Sequence, residues 1–128
     1  MSTYKQIFYQ IIFGTKSRET TLTEAHCKDL YKYIWGVIKN HNCRLYRINA
    51  VEDHIHIFSD LHPSISRADY IKNIKVSSSV WMKERGLFPY FRGWQDGYGA
   101  FTYCTKEKNI IIDYVKKSKR TSQDREVL

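Results

Sequence analysis

Two alternating segments joined by a very short link constrain this chain more than any other feature. Residues 43–51 (CRLYRINAV) carry apolar side chains at Cys43, Leu45 and Ile48, and residues 53–61 (DHIHIFSDL) alternate again. Successive side chains on a strand point to opposite faces, so such alternation reads as a strand with one face buried. The Glu52-Asp53 link between them leaves room only for a tight turn, and a tight turn joins antiparallel strands. Any fold for this chain must therefore contain that hairpin in a sheet.

The flanking segments complete the sheet. Residues 4–13 (YKQIFYQIIF) are rich in β-branched and aromatic types and read as a strand, followed by Gly14 and a polar loop over residues 15–21. After Leu22, the Thr23-x-x-His26 stretch leads into a helix running to about Asn40. Its apolar positions Leu30, Ile34, Val37 and Ile38 fall at helical spacing, with Tyr31 and Tyr33 beside them. His62-Pro63-Ser64 stops the hairpin's second strand. Ser66-x-x-Asp69 then resembles a capping box with Asp in place of Glu, opening a helix to about Arg85 with Ile71, Ile74, Lys75, Ser78 and Trp81 on related faces. Four of the six glycines lie between Gly86 and Gly99, which predicts an irregular loop (FPYFRGWQDGYG). Residues 99–105 read as a last strand. Lys106-Glu107-Lys108 opens a third helix with Ile110, Ile111, Tyr114 and Val115, and residues 116–128 form a polar helix extension or a disordered end. The order βαββαβα predicts an α+β, ferredoxin-like (RRM-like) antiparallel sheet with helices on one face and the other face free for a ligand.

Composition narrows what binds there. A chain of 128 residues that is 42% hydrophobic and 27% charged reads as one domain over residues 1–128, and excludes a disulfide-stapled miniprotein. The apolar run over residues 7–13 is interrupted by Gln10 and too short for a membrane span. Cys27, Cys43 and Cys104 are odd in number with no Cys-x-x-Cys pair, so a zinc ribbon gives way to reduced thiols in a cytoplasmic protein. A net charge of +8 beside ten tyrosines, six phenylalanines and three tryptophans points to a polyanion whose bases can stack, a nucleic acid.

Three places can carry chemistry. In the Asp53-His54-Ile55-His56-Ile57 stretch, alternation puts Val51, Asp53, Ile55 and Ile57 on one side, with the isoleucines toward the helices. His54 and His56 then share the open face, about 7 Å apart along the strand, where they can bind one divalent metal or simply stand as two surface histidines. Tyr114 on the third helix either caps the apolar face or acts as a nucleophile. The latter requires a nearby cation or a metal-polarised phosphate, because a phenol's proton leaves only near pH 10. The loop Arg92-Gly93-Trp94-Gln95-Asp96-Gly97-Tyr98-Gly99 suits either a base-stacking loop or a turn with an anchoring tryptophan. There is no Gly-x-x-x-x-Gly-Lys phosphate loop and no Gly-x-Ser-x-Gly elbow.

These features occur in one order, and the chain resembles the single-tyrosine HUH transposases of the insertion sequence 200/605 type. The likeness runs through YQIIFGTKSRE, LYKYIWGVIKN, CRLYRINAVEDHIHIFSDLHPS, ADYIKNIKVSSSVWMKE, FRGWQDGYGAFTYC and IIIDYVKK. The resemblance implies a homodimer that cuts and rejoins single-stranded DNA carrying a hairpin at the ends of an insertion sequence, with no nucleotide cofactor. His54 and His56 match the metal pair for Mg²⁺ or Mn²⁺. Tyr114 matches the nucleophile that forms a 5′-phosphotyrosine and frees a 3′-OH, and its helix can serve the partner subunit's histidines. Lys116, Lys117, Lys119 and Arg120 flank the tyrosine and, with Arg92, Trp94 and Gln95, are candidate DNA contacts. The family usually carries a glutamine four residues after the tyrosine as a third metal ligand. Here that position is Ser118. Two readings follow: a transposase that cuts, and a transposase-like protein that only binds DNA.

Overall fold

The hairpin forms as the alternation predicts. In the computed structural model, which describes residues 8–103, strand β2 (Leu45–Val51) pairs antiparallel with strand β3 (His54–Asp60) around the Glu52-Asp53 turn. Strand β1 (Phe8–Gly14) lies along the other side of β3, and strand β4 (Gly99–Tyr103) along the other side of β1, also antiparallel. The sheet order is β2-β3-β1-β4. With helix α1 (Cys27–Asn40) between β1 and β2, and helix α2 (Arg67–Arg85) between β3 and β4, this is the ferredoxin-like arrangement. Residues 4–7 of the expected first strand, Cys104, and the whole expected third helix and tail lie outside the described residues.

The core fills the layer between the sheet and the two helices. Ile11 faces Ile57 and Phe13 faces Ile55 across β1 and β3. All four join one cluster with Leu30, Ile34 and Ile38 of α1 and Tyr70, Ile71, Ile74 and Met82 of α2. Buried positions on α1 recur every three or four residues because that spacing returns to one helix face. The caps of α2 explain its bounds. The Ser66 side chain accepts the Asp69 N–H at 3.2 Å, satisfying a donor that the first turn leaves unpaired. At the other end Gly86 takes the left-handed conformation (φ 66) that stops a helix. Trp81 is only partly buried and stacks on Tyr33 at 4.9 Å.

Two expectations need correction. Val51 does not share a face with Ile55. It pairs with His54, and Ala50 pairs with Ile55. Directly opposite residues share a face, so the two-residue turn resets the alternation and places Ala50, not Val51, toward the helices. The face away from the helices is also not bare. Phe8, Gln10, Phe58 and His56 lie on it and are all buried. Part of the reason is aromatic. The Tyr46 ring packs edge-on against Phe8 at 5.3 Å, and Phe8 stacks on Phe58 at 5.9 Å. Tyr46 sits at an irregularity where Leu45 pairs with Ser59 but Arg47 already pairs with Phe58.

Cys27 and Cys43 are both buried. Among the described residues no helix is long and apolar enough to cross a membrane.

Two phenols make the fold sensitive to alkali. Burial pushes the Tyr70 phenol well above its ordinary value, and its hydroxyl lies 2.9 Å from Ser59 Oγ. Burial raises Tyr31 to about 12, although its oxygen accepts the Ala50 N–H at 2.7 Å. The folded state therefore keeps protons that the unfolded chain releases near pH 10. Stability is fully present below that point and falls as the pH rises through the folded values. Tyr70 accounts for about 1.4 kcal/mol per pH unit, and the part-solvated Tyr31 for less. Denaturation midpoints should fall steeply between about pH 10 and pH 12. A Tyr70→Phe variant should show a flatter decline, and an unchanged one would contradict the assignment to Tyr70.

Candidate functional site

The site starts at the hairpin turn. Asp53 is its last residue, His54 the first of β3, and His56 follows on the same face. The two imidazole rings converge to 4.9 Å between centroids, tilted by 56°, closer than the strand repeat alone requires. His56 is only 7% exposed, and its Nδ1 is buried with no hydrogen-bond partner among the described residues. Burial, and then the neighbouring His54, push its pKa down to about 4. At neutral pH it is an uncharged imidazole with an available lone pair.

His54 is held differently. Its Nδ1 lies 2.7 Å from Asp53 Oδ1. A carboxylate can only accept, so the ring proton sits on Nδ1 and the lone pair on Nε2. Asp53 is in turn gripped by Arg18, whose Nη2 lies 3.0 Å and whose Nε 3.2 Å from Oδ2. Partial burial raises the Asp53 carboxyl, but the His54 hydrogen bond and the Arg18 charge outweigh it and hold the group below its ordinary value.

Arg18 reaches Asp53 through a strained loop. Ser17 (φ 56) and Arg18 (φ 53) both take the left-handed conformation, which costs a non-glycine residue on the order of 1–2 kcal/mol. Thr15, 1% exposed, secures the bend: its N–H donates to Asp53 O at 2.8 Å and its hydroxyl to Glu19 O at 2.6 Å. Gly14 makes room. A Cβ there would stand 2.8 Å from Arg18 Cδ and 3.0 Å from Gln95 Oε1. Gly14 is also the register partner of His54, so the crowding occurs beside the imidazole pair.

Of the two readings for the 92–99 loop, the tryptophan is an anchor. The Trp94 ring meets Phe13 edge-on at 4.8 Å and Phe91 at 5.0 Å, and its Nε1 donates to Ser78 Oγ at 3.0 Å. Gln95 is tied by its backbone, its N–H donating to Gly14 O at 2.9 Å. The exposed Arg92 donates to Glu19 Oε1 at 2.7 Å. Tyr114, Ser118, Lys116, Lys117, Lys119 and Arg120 lie outside the described residues.

The structure thus brings Arg18, Gly14 and Gln95 to the end of the sheet that carries the histidines. Sequence reading missed Arg18, and it saw Asp53 as a face-mate of Ile55 rather than as the support of His54. The available signals were the glycine closing β1 and a carboxylate directly before a histidine pair. Among the described residues no three His, Cys, Asp or Glu side chains converge on one metal position. The pair itself nevertheless suits a divalent cation. One imidazole is oriented by a carboxylate and the other is kept neutral by burial, as ligating histidines require. Nitrogen donors favour Mn²⁺ over the harder Mg²⁺.

Comparison with known proteins agrees with this fold. A family model described as "Transposase IS200 like" matches residues 3–118. No curated protein sequence matches the chain. Among solved structures, a protein from Deinococcus radiodurans R1 assigned as a transposase superposes with a TM-score of 0.71 at 20% identity, over 91% of this chain and 95% of that one. A REP-associated tyrosine transposase bound to a REP hairpin superposes with a TM-score of 0.61 at 19% identity, over 90% of this chain and 70% of that one.

Proposed function

Because the chain belongs to the IS200-like transposase family, we propose that it cuts and rejoins single-stranded DNA beside a hairpin, using Tyr114 as the nucleophile. The observation that carries this reading is the converged His54–His56 pair with its Asp53–Arg18 support. The similar protein bound to a REP hairpin supports a hairpin as the feature recognised.

The chemistry is an exchange of esters. The Tyr114 oxygen attacks phosphorus and gives up its proton. The bond from phosphorus to the 3′ oxygen breaks, that oxygen takes up a proton, and a 3′-OH is freed while the 5′-phosphate stays on the tyrosine. A 3′-OH from another strand end later displaces the tyrosine and restores the phosphodiester. One ester replaces another, so no nucleotide cofactor is needed. His54 and His56 would hold the divalent ion, Mn²⁺ or Mg²⁺, which when bound polarises a phosphate oxygen and stabilises developing charge. Asp53 fixes the His54 ring, and Arg18 keeps Asp53 ionised. Lys116, Lys117, Lys119 and Arg120 bind phosphates beside Tyr114, and Arg92 and Gln95 add contacts from their loop, which Trp94 anchors. The active form is a cytoplasmic homodimer.

Ser118 favours one second reading, DNA binding without cutting. A serine at the position of the third ligand is short, neutral and weakly coordinating. Incubation of the protein with a hairpin-bearing single strand and Mn²⁺ separates the two. A covalent protein–DNA adduct on a denaturing gel is expected. Salt-dependent binding with no adduct would establish the binding-only reading.

The support of His54 is open to its own measurement. Asp53→Ala should weaken Mn²⁺ binding about 10- to 100-fold by calorimetry, the usual cost of losing a carboxylate behind a ligating histidine. The fold should persist, since an exposed ion pair contributes at most about 1 kcal/mol. Unchanged Mn²⁺ affinity would mean that Asp53 does not orient the ring for metal.

A further inference from the structure

On the helix side of the molecule, α2 and residues 92–96 enclose a groove of about 630 Å³. Its lining is strongly one-signed: Lys16, Lys75, Lys83 and Arg92 against the single carboxylate of Asp96. Two of these cations are already engaged. Arg92 pairs with Glu19, and the Lys75 ammonium donates to Gln95 O at 2.7 Å and Gly97 O at 2.9 Å. Lys16 and Lys83 form no ion pair among the described residues.

The two uncommitted lysines are grouped around bare backbone. Lys83 Nζ lies 3.9 Å from where a Cβ of Gly93 would stand, and the backbone N–H of Lys16, which also lines the groove, donates to Gly93 O at 2.8 Å. Gly93 has φ 128, so a side chain there would be strained and the backbone stays open to close approach. Val76 and Val80, 54% and 50% exposed, line the same groove. Cations over open backbone, flanked by apolar surface, match a strand whose phosphates are charged and whose sugars and bases are apolar on their faces.

The groove also has a direction. Its loop wall is joined to the sheet by the Gln95 N–H to Gly14 O bond of 2.9 Å, and Gly14 is the register partner of His54. The groove's loop wall and the imidazole pair are therefore tied to the same end of the sheet, the pair on the face away from the helices.

We propose that this groove holds the single-stranded DNA beside the hairpin, with phosphates at Lys16 and Lys83 and sugars and bases against Val76 and Val80. The proposal rests on the reading of the protein as a single-strand DNA transposase, but only on the DNA, not on the cutting.

Fluorescence anisotropy with two oligonucleotides tests it: a hairpin alone, and the same hairpin with a single-stranded extension. Lys16→Glu combined with Lys83→Glu should lower affinity for the extended strand at least tenfold and reduce its log–log salt slope by about 1.4, since each single-strand phosphate contact contributes about 0.7. Affinity for the hairpin alone should be unchanged. Ser79→Glu, which adds a carboxylate to the groove without removing a cation, should also weaken only the extended strand. Wild-type affinity and slope on the extended strand, or an equal loss on both oligonucleotides, would overturn the proposal. The adduct assay keeps the two ideas apart. A wild-type protein that forms no adduct while the variants lose the extension selectively ends the cutting reading and leaves the groove standing. An adduct-forming wild type whose variants bind normally ends the groove alone.

Discussion

Tyr114→Phe is expected to abolish the covalent protein–DNA adduct while leaving affinity for the hairpin strand within a few-fold of wild type. The substitution removes one oxygen, which is the atom that would bond to phosphorus. Removing the nucleophile from an enzyme of this covalent kind typically slows the chemical step by on the order of 10⁴–10⁶, which takes an adduct below detection. Binding should survive because the phosphate contacts proposed for the neighbouring lysines would not involve the phenol. Peptide mapping of the wild-type adduct adds a sharper check. The chain has ten tyrosines, and Tyr90 and Tyr98 are exposed at 76% and 39%. A phosphotyrosine mapped to either of them, or an undiminished adduct in Tyr114→Phe, would remove Tyr114 from its role.

His56→Ala should be nearly as severe, and on a different readout. It takes away one of the two imidazole donors, so Mn²⁺ affinity should fall by more than the roughly 10- to 100-fold typical of losing a supporting group alone. Calorimetric titration of the purified protein measures this without any reaction. His56 is buried on a sheet face, so the variant loses some packing. His56→Gln, which keeps most of the volume, serves as the companion: both should lose Mn²⁺ if the ring nitrogen is the ligand. Mn²⁺ titrations that match wild type in both variants would show that the pair is structural.

Much of this fold could be read from local signals. The hairpin announced itself through alternation on both sides of a two-residue link. The bounds of α2 followed from Ser66 and Gly86, because caps are made within a few residues of the chain. What escaped was non-local or depended on parity. Val51 changed face because the turn resets alternation, which counting along the chain overlooks. The Arg18–Asp53 contact spans 35 residues and depends on a left-handed bend at Ser17 and Arg18, for which neither residue type is a signal. The choice between a stacking and an anchoring Trp94 turned on Ser78 and Phe13, which come from two other elements. Burial of His56 could not be seen either, since it reflects what lies across the sheet rather than anything in its own strand.

The irregularity at Tyr46 bears on how these molecules behave when crowded together. β2 is an outer strand of the sheet, and a regular outer strand offers free amide and carbonyl groups on which another chain can extend the sheet. One extra residue between Leu45 and Arg47 breaks that template and increases its twist. Arg44 and Arg47 place positive charge along the same border, repelling an identical copy. The residue that covers Phe8 and Phe58 thus also makes this margin a poor seed for sheet-to-sheet aggregation, and helps a basic protein stay dispersed at high local concentration.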